Sequence, residues 1–326
     1  MKAIVQDVYG DADVLRLEDV PQPPVGPGKI LVRVHAAGVD AGVWHLMAGR
    51  PYLVRAALGF RGPRARVRGL EVAGVVEEIG PDVIGFQVGD RVFGIADGSF
   101  AELAVAKAKH LALIPESVSF VQAAPAAVSG VTALQAVRDS GKLQAGQTVL
   151  VIGAGGGVGT FAVQIAKAMG AEVTGVCSTS KIDVVRSAGA DHVIDYTQEE
   201  ITESGRRYDV VVDIAGRRPL SMLRRVLTPR GTLVFVGGEG GDALSGGMLR
   251  QVGASLLSPF VGHSLRMLVS VTKQADVRAV AELLGSGKVT SVVERTYPLG
   301  EAPDAIRHQH AGRARGKVVV TVGDES

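Results

Sequence analysis

Cysteine is almost absent. Cys177 is the only one in 326 residues, so no disulfide forms within the chain and no multi-cysteine zinc site can be built. Aromatic residues make up only 4%, which leaves Val, Ala, Leu and Ile to fill the core. Neither sign of charge is in excess: 35 Lys and Arg against 33 Asp and Glu give a net charge of +2. That balance gives no support for a nucleic-acid partner. No uninterrupted apolar run reaches about 18 residues, so no membrane span is expected. The opening stretch MKAIVQDVYG lacks a basic head followed by an apolar core and reads as a β-strand. A cytoplasmic protein whose partner is a small molecule is the expectation.

Glycine is plentiful, with 43 residues, and its densest run organises the chain. Residues 147–167 read QTVLVIGAGGGVGTFAVQIAK. An apolar β run at 148–152 breaks into glycines at 153, 155, 156, 157 and 159. An amphipathic helix follows, with Val158, Phe161, Ala162, Ile165, Ala166 and Met169 at helical spacing. Gly170 is placed to stop it. Strand, glycine turn and helix hold a dinucleotide pyrophosphate on the helix N-terminus, where free N–H groups and the helix dipole favour an anion. The spacing is Gly153-x-x-Gly156-x-x-Gly159, which differs from the common G-x-G-x-x-G.

Residues 1–122 carry short β runs at 2–8, 29–35, 71–79, 90–95 and 100–104, divided by turn-rich segments such as PQPPVGPG. This pattern suggests an antiparallel barrel or sandwich. From Val121 helices with small residues take over, and then strands and helices alternate. Strands are expected at 148–152, 172–177, 192–195, 209–213, 232–236 and 266–271, with helices at 158–169, 181–188 and 219–227. That alternation implies a doubly wound parallel sheet. The tail, with a helix at 277–284 and β runs at 289–296 and 316–322, is too short for a domain and is expected to complete the barrel. The fold class is therefore α/β, with 1–122 and 273–326 in one domain and 123–272 in a nucleotide-binding domain inserted between them.

Several stretches carry a family resemblance: PPVGPGKILVRVHAAGVD at 23–40, GLEVAGVVEEIG at 69–80, VGDRVFG at 88–94, SFAELAVA at 99–106 and the long glycine motif. The chain resembles the medium-chain dehydrogenase/reductase superfamily and, within it, the zinc-free quinone oxidoreductase (zeta-crystallin-like) branch. The resemblance implies a GroES-like β-barrel catalytic domain, a Rossmann domain, a cleft between them and a homodimer. Zinc members of the superfamily use a Cys near the position of Asp40, a Gly-His-Glu segment and a distant Cys. Here the segment is Gly69-Leu70-Glu71 and the only thiol is Cys177, so the family's zinc set is not available. His308 and His310 form an H-x-H with no third ligand nearby in sequence.

An NAD site usually ends its second strand with a carboxylate about 20 residues after the first glycine. Here that strand ends Ser178-Thr179-Ser180-Lys181, and no Asp or Glu lies between Glu172 and Asp183. Hydroxyls and a lysine suit a ribose 2′-phosphate, so NADPH is the expected cofactor. Ser178 and Ser180 also have the chemistry of helix caps. By resemblance Tyr196 contacts that phosphate, Thr132 faces the nicotinamide, and Gly155, Gly156, Gly157 and Val158 line the pyrophosphate. Ala215, Gly216, Val236, Gly237, Gly238, Gly316 and Lys317 complete the cofactor set.

Without a metal to polarise an alcohol, hydride transfer to a quinone or an α,β-unsaturated carbonyl asks least of the protein, because the acceptor spreads charge onto its own oxygen. Asp40, His45 and Tyr52 are the candidate polar groups at the reacting end. Residues 50–68 carry six arginines, and no acidic residue lies between Asp40 and Glu71. A solvated loop or a basic flap are both consistent with that run. The apolar segment 265–271 is a candidate sheet edge for pairing two copies. Three functions remain open on the sequence: an NADPH-dependent quinone or enone reductase, a zinc-free alcohol dehydrogenase or biosynthetic enoyl reductase, and a non-catalytic NADPH-binding protein.

Overall fold

The computed structural model describes residues 1–237 and 244–323, apart from the side chain of Ala57. The chain divides into two compact units. One comprises Met1–Val131, Thr272–Gly287 and Ser291–Ser326; the other comprises Thr132–Val271 and Lys288–Thr290.

In the first unit, period-two alternation puts Ile30, Val32 and Val34 into one core with Val72, Val76, Val92, Leu111, Val318 and Val320. The long strand Lys29–Val39 lies antiparallel to Glu71–Ile79, to Leu103–Leu113 and to Lys317–Thr321. Val105 faces Leu31 on one side and Asp97 of Arg91–Asp97 on the other. This double pairing curls the four central strands into a closed ring. The tail joins as expected, with Val293–Pro298 parallel to Lys317–Thr321 at the sheet's end.

In the second unit six parallel strands run in the order Ser264–Met267, Leu227–Phe235, Tyr208–Asp213, Thr148–Ile152, Glu172–Cys177, His192–Asp195. The order reverses between Thr148–Ile152 and Tyr208–Asp213, and a crevice at the C-terminal ends of such strands is where this kind of sheet takes ligands.

Two expectations shift. The domain boundary expected at 122/123 falls instead at 131/132. Helical periodicity begins near Val121, yet Val128 N and Ser129 N donate to Glu71 Oε1 at 2.8 and 3.3 Å, so this helical segment is built onto the first unit. The strand expected at 266–271 is shorter, Ser264–Met267. Beyond it the Gln135 side chain takes over the role of the ladder, donating to Val271 O at 2.8 Å and accepting from Val271 N at 3.3 Å. Among the described residues no single helix is long and apolar enough to cross a membrane.

Candidate functional site

The glycine run forms a tight turn from strand to helix. Gly153 N and Ala154 N both donate to Val176 O, at 3.1 and 3.0 Å, and Gly156 N closes back on Gly153 O. Gly156 caps the helix Gly157–Ala168. The first turn-to-helix bond runs from Thr160 N to Gly156 O, so the N–H groups of Gly157, Val158 and Gly159 have no intrahelical acceptor. Gly159 must be glycine: a Cβ there would fall 2.1 Å from Gly153 O and 2.7 Å from Ala154 Cα. The turn is a cradle of bare backbone with three donors left over, which fits a pyrophosphate.

The strand Glu172–Cys177 ends beside it. A Cβ on Gly155 would meet Lys181 Cβ at 2.7 Å and Cδ at 2.9 Å, so the lysine stem lies across the turn. Ser178 and Ser180 do not cap the following helix. Their hydroxyls lie 3.3 Å apart at the surface, and Ser178 makes no side-chain cap bond. The linear rule of about 20 residues misses a carboxylate that the fold supplies from the neighbouring strand. Asp195 ends His192–Asp195, accepts from Thr179 Oγ1 at 2.5 Å, and accepts from Thr197 N and Oγ1 at 2.9 and 2.7 Å. The Thr179 bond, with those from Thr197, holds its pKa below the usual carboxylate value. Three donors already occupy it. Tyr196, next in the chain, is half exposed, with the Arg218 guanidinium 5.9 Å above its ring. Arg218 was not singled out from the sequence; its only signal there is the Arg-Arg pair after the IAG turn.

The remaining cofactor candidates of this unit separate by role. Asp213 Oδ1 accepts from Gly216 N at 3.0 Å, which fixes the turn carrying Ala215 and Gly216, while Oδ2 is buried without a partner. Burial pushes the Asp213 carboxyl above its ordinary pKa. Val236 N bonds Asp213 O at 3.0 Å. Gly237 is a close-approach glycine, because its Cβ would lie 2.0 Å from Ile214 O. Gly238 lies outside the described residues. Thr132 Oγ1 donates to Ser270 Oγ at 3.1 Å. Burial pushes the Cys177 thiol up to about 11, so it is no nucleophile at neutral pH.

The first unit gives several residues other work. Lys317, 2% exposed, donates through Nζ to Glu71 Oε2 and to Ser129 Oγ, both at 2.9 Å. Its ammonium is therefore engaged inside this unit. Gly316 approaches Val292 closely, since a Cβ would fall 2.3 Å from Val292 O. Burial pushes the Glu71 carboxyl up to about 7, with Lys317 pulling down and Asp40 pushing up.

Asp40 caps the helix Ala41–Ala48: Oδ1 accepts from Val43 N at 3.0 Å, and Oδ2 is buried without a partner. His45 Nδ1 meets Arg50 O at 3.0 Å. A carbonyl only accepts, so Nδ1 carries the proton and Nε2 is left for other partners. Tyr52 lies under the guanidiniums of Arg55 and Arg50, at 4.9 and 5.7 Å. Asp40 thus stands at the N-terminal end of this helix, while His45 turns toward its C-terminal end and Tyr52 follows it. The three do not form one cluster. His308 and His310 diverge: the first bonds Tyr297 and Glu294, and the second stacks on Trp44 at 4.0 Å. Among the described residues no group of three or more His, Cys, Asp or Glu could hold a metal ion.

The family model described as alcohol dehydrogenase GroES-like domain matches residues 26–116, and the one described as zinc-binding dehydrogenase matches 188–320. The mitochondrial NAD(P)H oxidoreductase RTN4IP1 of Mus musculus is 33% identical, over 99% of this chain and 89% of that protein. The chloroplast envelope quinone oxidoreductase homolog of Arabidopsis thaliana is 31% identical, over 98% of both. The chain belongs to the medium-chain dehydrogenase/reductase superfamily, in its quinone oxidoreductase branch. Its two units are the GroES-like and Rossmann domains of that superfamily. A quinone oxidoreductase structure from Coxiella burnetii superposes with a TM-score of 0.84 at 26% identity, over 99% of both chains. A mycobacterial structure, Rv1454c complexed with NADPH, does so at 0.81 and 26%, over 98% of this chain and 100% of that one. A further relative, the spectinabilin polyketide synthase protein NorB of Streptomyces orinoci, is 34% identical over 96% of this chain, which spans 14% of NorB. The protein is an oxidoreductase with a nicotinamide cofactor.

Proposed function

We propose that the protein reduces quinones or α,β-unsaturated carbonyls with NADPH and without zinc. The observation that carries this reading is the glycine turn with the Lys181 stem across it and the paired hydroxyls of Ser178 and Ser180 at the adjoining strand end. A bound NADPH supplies a hydride. Gly157, Val158 and Gly159 offer backbone donors to the pyrophosphate, and Lys181, Ser178 and Tyr196 offer charge and hydroxyls to the 2′-phosphate. Asp195 is occupied by Thr179 and Thr197, which weakens its claim on a ribose hydroxyl. The absence of the superfamily's zinc cysteines supports an acceptor that needs no Lewis acid. A proton for the reduced acceptor comes from His45, Tyr52, Asp40 or solvent.

A second reading, reduction of an enoyl thioester in biosynthesis, is favoured by the likeness to a stretch of NorB. We also propose a homodimer. Ser264–Met267 ends the parallel sheet with an open backbone edge, and Leu249, Leu256, Phe260, Val269 and Val271 are exposed in the same unit. A twin strand across a two-fold axis would satisfy that edge and cover the apolar groups.

The test is NADPH consumption with a small quinone and a simple conjugated enone side by side, with product analysis and an NADH control. Turnover of either with NADPH preferred supports the reading. Tight NADPH binding without turnover of either acceptor refutes it.

A further inference from the structure

Arg68 is a buried cation without a counter-ion. It is 5% exposed. Its Nη2 donates to the Ala65 carbonyl, and its Nε is buried with no hydrogen-bond partner. No carboxylate among the described residues pairs with it. Burial pulls its pKa below the usual arginine value, opposed only by Tyr9.

Its surroundings are short of negative charge. Backbone bonds place Arg68 between the N-terminal strand and residues 99–100: Arg68 N donates to Ile4 O at 3.0 Å, and Phe100 N to Arg68 O at 2.9 Å. On those adjoining segments Gln6 Oε1 and Ser99 Oγ are also buried and unpartnered. Arg55 lies over the Tyr9 ring at 4.5 Å and donates to Gly49 O and Ala48 O, again to no carboxylate. Asp7 and Glu18 are both held by Arg16 and Arg66. An ion moved into a protein interior unpaired is costly, and buried polar groups are almost always satisfied.

We propose that Arg68 binds the carboxylate of a small anionic ligand. A single planar guanidinium with a free Nε matches one carboxylate; a phosphate dianion would ask for more donors. The natural occupant is a carboxylate carried by the electrophilic substrate. That assignment rests on the proposed reductase activity, whereas binding of the anion does not.

The test begins with the wild-type protein and calorimetry of levulinate, methyl levulinate and acetate. Levulinate is expected to bind about tenfold or more tighter than its ester. In Arg68→Met the difference disappears, and the ligand-free variant melts no lower than wild type, because an unpaired buried charge has been removed. Arg68→Lys, which keeps the charge but loses the fork, retains part of the preference. Equal affinity for acid and ester in wild type overturns the proposal, as does a preference that survives in Arg68→Met. Should Arg68→Met fail to fold, the wild-type comparison and Arg68→Lys decide. Turnover of β-acetylacrylate against its methyl ester with NADPH then assigns the anion. An acid preference in kcat/KM supports a substrate carboxylate. Levulinate preference with no NADPH oxidation on β-acetylacrylate leaves the anion site standing and overturns the substrate assignment, while the reductase reading is decided by the quinone and simple enone. Acetate binding as tightly as levulinate overturns the substrate assignment.

Discussion

Replacing Lys317 by methionine strips the counter-charge from a carboxylate that has no access to water. Glu71 is 0% exposed and Lys317 is 2% exposed. Breaking such a buried pair costs about 3–5 kcal/mol, because the remaining charge stays buried. Glu71 keeps its two backbone donors, Val128 N and Ser129 N, so the lower half of that range is expected. The pH dependence supplies a second reading of the same event. Glu71 titrates at about 7, above its ordinary 4.5, because burial outweighs the pull of Lys317. A raised folded pKa means that this group's contribution is fully present below its unfolded value and is lost as pH rises through the folded one. Without Lys317 the folded pKa climbs further. Above about pH 7 the variant therefore goes on losing about 1.4 kcal/mol per pH unit where the wild type has levelled off. Guanidinium unfolding followed by Trp44 fluorescence measures this, since Trp44 is the single tryptophan and lies in the same unit. A gap under about 1 kcal/mol at about pH 8, or one that narrows as pH rises, would refute the reasoning. The double variant Glu71→Gln/Lys317→Met should recover more than half of the loss.

Gly159→Ala puts a Cβ at 2.1 Å from Gly153 O; NADPH affinity by fluorescence titration should fall about tenfold or more, and binding within about twofold of wild type would sink the cradle. Lys181→Glu should raise the KM for NADPH about tenfold or more while moving that for NADH far less, and an unchanged ratio removes the 2′-phosphate assignment. Leu256→Glu with Val269→Glu should convert a dimer to a monomer by light scattering at micromolar concentration. A monomeric wild type disposes of the proposed edge pairing.

Much of the fold was legible because its signals are local. The strands at 148–152, 172–177 and 192–195 were read from apolar runs at their observed limits. Helix starts and stops followed from glycines whose conformational need is a property of a few neighbouring residues. The boundary near 131 was not legible. Helical periodicity in 121–131 says nothing about which unit those residues pack on, and the Glu71 carboxylate that receives Val128 N and Ser129 N is some sixty positions away in the chain. The edge strand stopped early for a similar reason: Gln135, remote in sequence, supplies the bonds that Val271 would have made in a ladder.

What the sequence determined by itself about this protein is the strand, glycine turn and helix of the candidate dinucleotide cradle and the absence of the superfamily's zinc cysteines. Both rest on residue type and spacing within a single segment, or on a residue that is simply missing. Only the tertiary structure decided how the charges are used. Lys317, read by resemblance as a cofactor contact, is the buried partner of Glu71. Asp195, at the end of His192–Asp195, emerged as a carboxylate beside the end of Glu172–Cys177, already satisfied by two threonines. The arginines of 50–68 looked like one basic run, yet Arg66 is neutralised by Asp7 and Glu18 while Arg68 is left buried and unpaired. Electrostatics depends on distance and on exclusion of water, and neither is written in the order of residues along a chain.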